Sequence, residues 1–98
     1  IINRYPNVHA FEWVQQASIL AHPKTRGFIS HVGLNSYNEA AHYGVPIVAI
    51  PCFGDQFGNS VIAVKRGIAV QISRKEINTE LLSNALNQIL YNPRYDLV

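Results

Sequence analysis

Short apolar runs alternate with amphipathic stretches along this chain of 98 residues. The apolar runs are bounded by glycine, proline and polar residues, and they predict short strands at residues 8–11, 27–30, 45–50 and 68–72. The third run is almost continuously apolar, which is typical of a strand buried on both faces of a parallel sheet. The amphipathic stretches predict helices at residues 15–21, 34–43, 56–66 and 78–90. Because strands and helices alternate, we predict βα units that form one half of a doubly wound α/β sheet.

Local signals predict where these helices begin and end. Pro23 ends the first helix, because the residue before a proline avoids the α-helical conformation. Asn35 or Ser36 is placed to cap the second helix, and Gly44 fits the position just past its end. Asp55 is placed to cap the third helix. The last helix opens at residues 78–80 and has an apolar stripe formed by Ile77, Leu81, Leu82, Ala85, Leu86, Ile89 and Leu90.

Polar and aromatic residues cluster directly after the predicted strands, at Trp13, residues 31–36 and residues 55–56. In open α/β sheets, ligands bind beyond the carboxyl ends of the strands, where loops lead into helices. Residues 33–36 enter a helix, so their free backbone N–H groups and the helix dipole favour a phosphate there. Glu39 lies about one turn further along the same helix face. The pattern therefore predicts a site for an anionic ligand at this edge of the sheet.

The same residues belong to a constellation whose order and spacing carry a family resemblance. Its members are Trp13, Gln16, Gly27, Phe28, Ile29, Ser30, His31, Gly33, Asn35, Ser36, Glu39, Gly44, Val45, Pro46, Pro51, Asp55 and Gln56. The constellation resembles the donor-binding signature of the UDP-glycosyltransferases, and it is most similar to the animal UDP-glucuronosyltransferases. It covers residues 7–59, about half of the chain, and continues more weakly through the last helix. The fold that the resemblance implies is the Rossmann-like C-terminal half of a GT-B glycosyltransferase.

The resemblance implies a site for the base and the ribose. Trp13 would stack its indole on the uracil ring, and the main chain of Val14 would bind the edge of the base. Gln16 would hydrogen-bond the nucleoside, and the Glu39 carboxylate would accept from both ribose hydroxyls. Two plainer interpretations stay open: Trp13 as a core residue, and Glu39 as an acid that only complements the helix dipole.

A phosphate site is implied for His31 and for the start of the following helix. His31, Gly33, Asn35 and Ser36 would surround the diphosphate of UDP with N–H and O–H donors. The plainer interpretation is a structural histidine beside an ordinary helix cap. Val32 stands where the family commonly has a second glycine, so the backbone of this loop has fewer conformations available to it.

The pair Asp55-Gln56 matches the acidic-amide pair with which the family contacts the transferred sugar. Carboxylate and amide groups on a loop accept from and donate to neighbouring sugar hydroxyls. The plainer interpretation is that Asp55 only caps a helix while Gln56 is solvated.

Composition narrows the range of functions. The net charge of +2 arises from scattered charges, so no nucleic-acid partner is expected. One cysteine, Cys52, cannot form an internal disulfide. The histidines at His9, His22, His31 and His42 lack the spacing of metal ligands, so no metal and no cofactor is expected. No apolar stretch approaches the roughly 18 residues of a membrane span.

The resemblance implies that the chain is an excerpt of a larger two-domain enzyme, the UDP-sugar-binding part of an inverting glycosyltransferase. The donor substrate would be UDP-glucuronate or UDP-glucose, and the acceptor a small lipophilic molecule with a hydroxyl group. The resemblance puts the catalytic base, a histidine oriented by an aspartate, in an N-terminal acceptor domain. No catalytic residue is therefore expected in this chain, and the fragment alone should be inactive. The resemblance also implies a parent protein anchored by one helix in the endoplasmic reticulum membrane, with this domain in the lumen.

Two alternatives stay open. One is a non-catalytic nucleotide-sugar-binding module, whose parent would lack the His/Asp base. The other is a glycosyltransferase of the same fold that uses another nucleotide, against which Trp13, Gln16 and the Asp55-Gln56 pair argue.

Overall fold

The computed structural model describes residues 4–96, which form a three-stranded parallel sheet and four α-helices. In chain order, the elements are α1 (Gln16–Ala21), β1 (Phe28–Ser30), α2 (Leu34–His42), β2 (Ile47–Ala49), α3 (Gln56–Lys65), β3 (Ala69–Gln71) and α4 (Thr79–Tyr91). A short 3-10 helix, Pro93–Tyr95, follows α4. The strand order is β1-β2-β3, so each strand lies next to its successor along the chain.

The central strand β2 is fully buried, as its continuous apolar run predicts. Ile47 pairs with Phe28 on one side and with Ala69 on the other, and the register continues without a bulge. Alternate residues of β2 point to opposite faces of the sheet. Ile47 and Ala49 join one core cluster, whereas Val48 joins the other.

Each face of the sheet has its own hydrophobic core. The first core contains residues of α2 and α3, including Tyr37, Ala40 and Ala63. The second is formed mainly against α4, with Ala85 and Ile89 at its centre. Helices therefore cover both faces, which confirms the predicted α/β layering of a doubly wound sheet.

The helix boundaries follow the predicted ones within one or two residues, but one predicted cap is wrong and another makes no capping hydrogen bond. Gly33, not Asn35 or Ser36, is the N-cap of α2, because its extended backbone precedes a Leu34 that is already helical. Asn35 and Ser36 therefore lie inside the first turn. Asp55 does occupy the N-cap position of α3, but it makes no capping hydrogen bond. Its backbone is in the α conformation, with φ −66° and ψ −12°, whereas a capping side chain needs extended backbone.

Two other helix ends agree with the sequence. The side chain of Asn78 accepts a 2.8 Å hydrogen bond from the N–H of Leu81 at the start of α4. Gly44, just past α2, has φ +68°, the left-handed conformation that favours glycine at this position.

The strand predicted at residues 8–11 is absent. These residues are irregular, and both Val8 and Phe11 are exposed. An extended segment is stable as a strand only when a neighbouring strand pairs with it. Within residues 4–96, all three strands of the sheet lie later in the chain, and none of them pairs with this segment.

Candidate donor-nucleotide site

The loops at the carboxyl ends of β1 and β2 carry most of the residues singled out from the sequence. His31 and Gly33 lie between β1 and α2, and Asp55 lies between β2 and α3. Trp13 is placed differently: it lies just before α1 in an irregular segment and follows no strand. Trp13 is brought near the other residues by α1, the helix that follows it, because α1 packs against α2.

A cavity of about 480 Å³ opens beside Trp13. It is lined by Phe11, Glu12, Trp13, Val14, Gln15, Gln16, Ala17 and Glu39. Trp13 is 73% exposed, which rules out the alternative in which it is a core residue. A flat indole face and a carboxylate thus line the same cavity, an arrangement that fits an aromatic base joined to a hydroxyl-bearing sugar.

Gln16 connects the two walls of this cavity. Its amide nitrogen Nε2 donates to Glu39 Oε1 over 2.7 Å and to Ser36 Oγ over 3.1 Å. The three side chains come from α1 and α2, and each of them is partly buried. The resemblance implies a hydrogen bond from Gln16 to the nucleoside, and in the structure the amide nitrogen of Gln16 donates to these two protein partners.

His31 is exposed and is oriented by the backbone of its own turn. The N–H of Gly33 donates to His31 Nδ1 over 3.0 Å, so the proton of a neutral imidazole is on Nε2. Nε2–H is then the ring donor available to a ligand. A Cβ atom added at Gly33 would lie 3.0 Å from His31 Cε1, so glycine lets the ring lie close to the backbone.

Val32 has the most unusual backbone in the site. Its φ of +69° lies in the left-handed region, where a β-branched residue is a genuine outlier. Three contacts hold it there: its N–H donates to Ser30 Oγ over 3.0 Å, its carbonyl accepts from Asn59 Nδ2 over 3.0 Å, and its side chain is fully buried in the core. The conformation that glycine would adopt freely is therefore imposed on valine by its surroundings.

The first turn of α2 begins directly after this loop. The N–H groups of a first turn have no partner within the helix, and the helix dipole makes this end positive. Asn35 is exposed, and the Oγ of the half-buried Ser36 accepts a hydrogen bond from Gln16. Together with His31 Nε2, these groups form a concentration of donors suited to an anion.

The loop between β2 and α3 is held together by Gln56. Its Oε1 accepts from the N–H groups of Cys52 and Phe53, over 2.9 Å and 3.1 Å. Gln56 is only 8% exposed, so the alternative of a solvated side chain is wrong. The neighbouring Asp55 is exposed at the surface of the same turn.

A second cavity, of about 440 Å³, lies beside this loop. Its lining consists of Pro51, Cys52, Phe57, Gln71, Ser73, Arg74 and Lys75. Two cationic side chains and no carboxylate line it, so it favours an anionic group. Arg74 and Lys75 were not among the predicted site residues, although they follow the last predicted strand, as the other candidate loops follow theirs.

Among residues 4–96, no group of three or more His, Cys, Asp or Glu side chains could hold a metal ion. In the same part of the chain, no helix combines the length and the apolar character needed to cross a membrane.

Comparisons with known proteins agree with this fold. Residues 3–97 match the sequence model of the family described as UDP-glucoronosyl and UDP-glucosyl transferase. The chain is 44% identical over 90 residues to UDP-glucuronosyltransferase 2C1 of Oryctolagus cuniculus, which covers 92% of this chain and 18% of that protein. It is 39% identical over 89 residues to UDP-glucuronosyltransferase 2A3 of Homo sapiens, covering 91% of this chain and 17% of that protein.

Two solved structures are similar in fold. The glycotransferase of kitacinnamycin superposes with a TM-score of 0.86 at 29% identity, covering 94% of this chain and 23% of that one. LpCGTa, solved in complex with UDP, superposes with a TM-score of 0.79 at 29% identity, covering 88% of this chain and 22% of that one.

The chain thus has the fold of one part of a GT-B glycosyltransferase, which confirms the sequence prediction. Within that class, the chain belongs to the family of UDP-glucoronosyl and UDP-glucosyl transferases. It spans less than a fifth of the length of these curated relatives, at 18% and 17%.

Proposed function

We propose that this chain forms the UDP-sugar-binding part of an inverting glycosyltransferase that transfers a hexose from UDP to a hydroxyl of a lipophilic acceptor. The observation that carries the proposal is the shared cavity of Trp13 and Glu39, which lies where α1 meets α2. His31 and Gly33, whose loop offers hydrogen-bond donors, lie directly before the start of the same helix α2. An aromatic face, a carboxylate and a cluster of N–H donors match the base, ribose and diphosphate of UDP in that order.

In this proposal the nucleoside occupies the cavity beside Trp13. The exposed indole stacks on uracil, and the main chain of Val14 binds the edge of the base. Glu39 accepts from the ribose hydroxyls through the oxygen that Gln16 leaves free.

The diphosphate would lie over the first turn of α2. His31 Nε2–H, the side chains of Asn35 and Ser36, and the first-turn N–H groups each offer a donor to its oxygens. Gly33 keeps this turn free of a side chain, so that the ring of His31 and the backbone present one continuous surface.

The transferred sugar would lie near Asp55 and Gln56. With Gln56 Oε1 bound to two loop amides, its NH₂ group is the part left to donate to a sugar hydroxyl. The neighbouring cavity, with Arg74 and Lys75, favours a sugar that carries a carboxylate. Glucuronic acid is therefore our first choice of sugar, with glucose as the uncharged alternative.

The proposed transfer is a single displacement at the anomeric carbon. A base removes the proton of the acceptor hydroxyl, and the resulting oxygen attacks the anomeric carbon from the face opposite UDP. The bond between that carbon and the β-phosphate oxygen breaks, and UDP leaves with the electron pair. Donors at the start of α2 would stabilise the charge that develops on the phosphate.

No residue of this chain is proposed as the base. We assign that role to a histidine oriented by an aspartate in an N-terminal acceptor domain of the same protein. We further propose that this protein is anchored in the endoplasmic reticulum membrane with the present domain in the lumen, and that the fragment alone does not turn over.

The test is a titration with UDP that follows the fluorescence of Trp13, the single tryptophan of the chain. Saturable quenching is expected. Glu39→Ala should weaken UDP about tenfold, the effect of losing a charge-assisted hydrogen bond. Glu80→Ala, which removes an exposed acid from the first turn of α4, is the matched control and should leave the affinity unchanged.

Calorimetry with Trp13→Phe, which keeps an aromatic face without the indole signal, should show UDP binding that fluorescence no longer reports. Equal affinity of the unaltered protein for UDP and for 2′,3′-dideoxy-UDP would contradict the ribose role of Glu39. Absence of any saturable binding would contradict the proposed function as a whole.

A further inference from the structure

Gln71, the last residue of β3, lines the cavity of about 440 Å³ beside the loop between β2 and α3. Side chains alternate between the two faces of a strand, so Gln71 lies on the same face as Ala69, which packs in the core under α3. There its Oε1 accepts from Ser60 Oγ over 2.5 Å, and Ser60 is fully buried. Because the oxygen of Gln71 is bound to this buried hydroxyl, its NH₂ group is the part left to donate to a ligand.

The loop that follows Gln71 adds further donors to the same cavity. Ser73, Arg74 and Lys75 lie between β3 and α4 and line the cavity with Gln71. A guanidinium and an ammonium group carry N–H donors and no acceptor. Within the described part of the chain, no carboxylate lines this cavity, and the neighbouring Glu76 is not among its lining residues. The cavity therefore presents donors and positive charge without an acid to neutralise them.

From this arrangement we propose that Gln71, Arg74 and Lys75 form a site for an oxyanion, either a carboxylate or a phosphate group. The two cations supply the attraction, and the amide that Ser60 holds supplies a donor of fixed orientation. The oxyanion has two possible sources, the sugar carboxylate of UDP-glucuronate and a free anion. The first source rests on the proposed function, whereas the oxyanion site itself does not.

Helix α3 connects this site to the loop that carries the proposed sugar contacts. Gln56 and Ser60 are four residues apart, and both belong to the buried face of α3. Gln56 accepts from the N–H of Cys52, and Ser60 donates to Gln71. Since Cys52 and Gln71 both line the cavity, one face of α3 holds both of these lining residues in place. A sugar bound at the β2–α3 loop would thus have the oxyanion site as its neighbour, which makes its carboxylate the source to test first.

The first test replaces the NH₂ group of Gln71 by an anionic oxygen. Gln71→Glu preserves the shape of the side chain and an acceptor for Ser60, and Gln71 is exposed, so the fold should tolerate the change. In the folded protein that contains this chain, calorimetry should show UDP-glucuronate weakened about tenfold, and UDP and UDP-glucose changed less than about twofold.

Gln88→Glu is the matched control for this change. Gln88 is an exposed glutamine of α4 whose Oε1 also accepts from a protein donor, the side chain of Asn92. It does not line the cavity, so the same added charge should leave the affinities for UDP-glucuronate, UDP-glucose and UDP unchanged.

Titration with inorganic phosphate tests the second source. Nuclear magnetic resonance of the ligand-free protein follows the side-chain NH₂ signals of Gln71, with those of Gln88 as the reference. A selective loss of UDP-glucuronate affinity in Gln71→Glu identifies the sugar carboxylate as the oxyanion. A saturable shift of the Gln71 signals by phosphate, without that selective loss, identifies a free anion.

The absence of both effects would overturn the oxyanion site. UDP binding by the unaltered protein remains the separate test of the proposed function, because UDP has no sugar to occupy this site. If UDP does not bind, the phosphate titration alone decides the proposal, and an unshifted Gln71 signal then overturns it.

Ser60 acts in this proposal as a positioning residue, and a double-mutant cycle tests that role. Ser60→Ala should weaken the oxyanion ligand, UDP-glucuronate or inorganic phosphate, about threefold, because the freed amide of Gln71 must then be ordered on binding. In a Gln71→Ala background the same change should have no effect. An equal loss in both backgrounds would show that Ser60 acts through the fold rather than through Gln71, and would overturn its positioning role.

Discussion

Val32 offers the sharpest test of how the loop between β1 and α2, the proposed phosphate site, is built. It combines full burial with a φ of +69°, two properties that make opposite demands on the residue. Burial favours an aliphatic side chain, whereas the left-handed backbone favours glycine. Substituting Val32 by alanine and, separately, by glycine distinguishes the two demands.

At an ordinary buried strand position, glycine should be about 1.5 kcal/mol worse than alanine. It lacks one more carbon, worth about 0.8 kcal/mol of burial, and its greater freedom in the unfolded chain costs roughly 0.5–1 kcal/mol. At Val32 the left-handed backbone adds a strain of roughly 1–2 kcal/mol to alanine and none to glycine. The two effects nearly cancel, so Val32→Gly and Val32→Ala should have almost the same stability.

Val48 is the matched control, since it is equally buried but lies in the regular strand β2. The assay is urea unfolding of four variants, Val32→Ala, Val32→Gly, Val48→Ala and Val48→Gly, in the folded protein that contains this chain. The glycine variant should be less stable than the alanine variant by about 1.5 kcal/mol at Val48, and within about 0.5 kcal/mol of it at Val32. The same gap at both positions would refute the strain at Val32.

Three further predictions concern the site. Asp55→Ala should lower turnover with a UDP-sugar by one to two powers of ten, roughly the effect of a charge-assisted hydrogen bond, while inhibition by UDP stays constant. An equal loss in turnover and in UDP affinity would make Asp55 a structural residue. Arg74→Gln should reduce kcat/KM about tenfold more for UDP-glucuronate than for UDP-glucose. The control Lys65→Gln should leave kcat/KM unchanged for both donors. Equal losses for the two donors would exclude a contact between Arg74 and the sugar carboxylate. Gly33→Ala should weaken UDP severalfold by displacing the ring of His31, as measured by calorimetry, and unchanged affinity would contradict that close approach.

The sequence predicts best those features that depend on neighbours along the chain. Asn78 caps α4 because a polar side chain and the helix start lie within three residues. Gly44 ends α2 for a similarly local reason, and the apolar run of β2 is buried because no polar residue interrupts it. Each of these follows from rules on a few consecutive residues.

What the sequence could not predict depends on residues that meet only after folding. Gln16 and Glu39 are 23 positions apart, so neither helix alone reveals their hydrogen bond. Asn59 holds the carbonyl of Val32 across 27 positions, which makes a left-handed valine possible where local rules disfavour one. The segment at residues 8–11 shows the opposite case, since its strand-like pattern finds no partner strand among residues 4–96.

Gln56 holds its loop together in addition to its proposed sugar contact, and this limits how the sugar preference of such an enzyme can change. Its Oε1 accepts from the amides of Cys52 and Phe53, so any replacement without an acceptor at the same place would release the loop as well as remove the proposed sugar contact. Asp55 does not stabilise the start of α3 in this way, because its side chain makes no capping hydrogen bond. Variation in donor choice should therefore accumulate first at position 55, and an engineer who wants a new sugar should randomise that position while keeping Gln56.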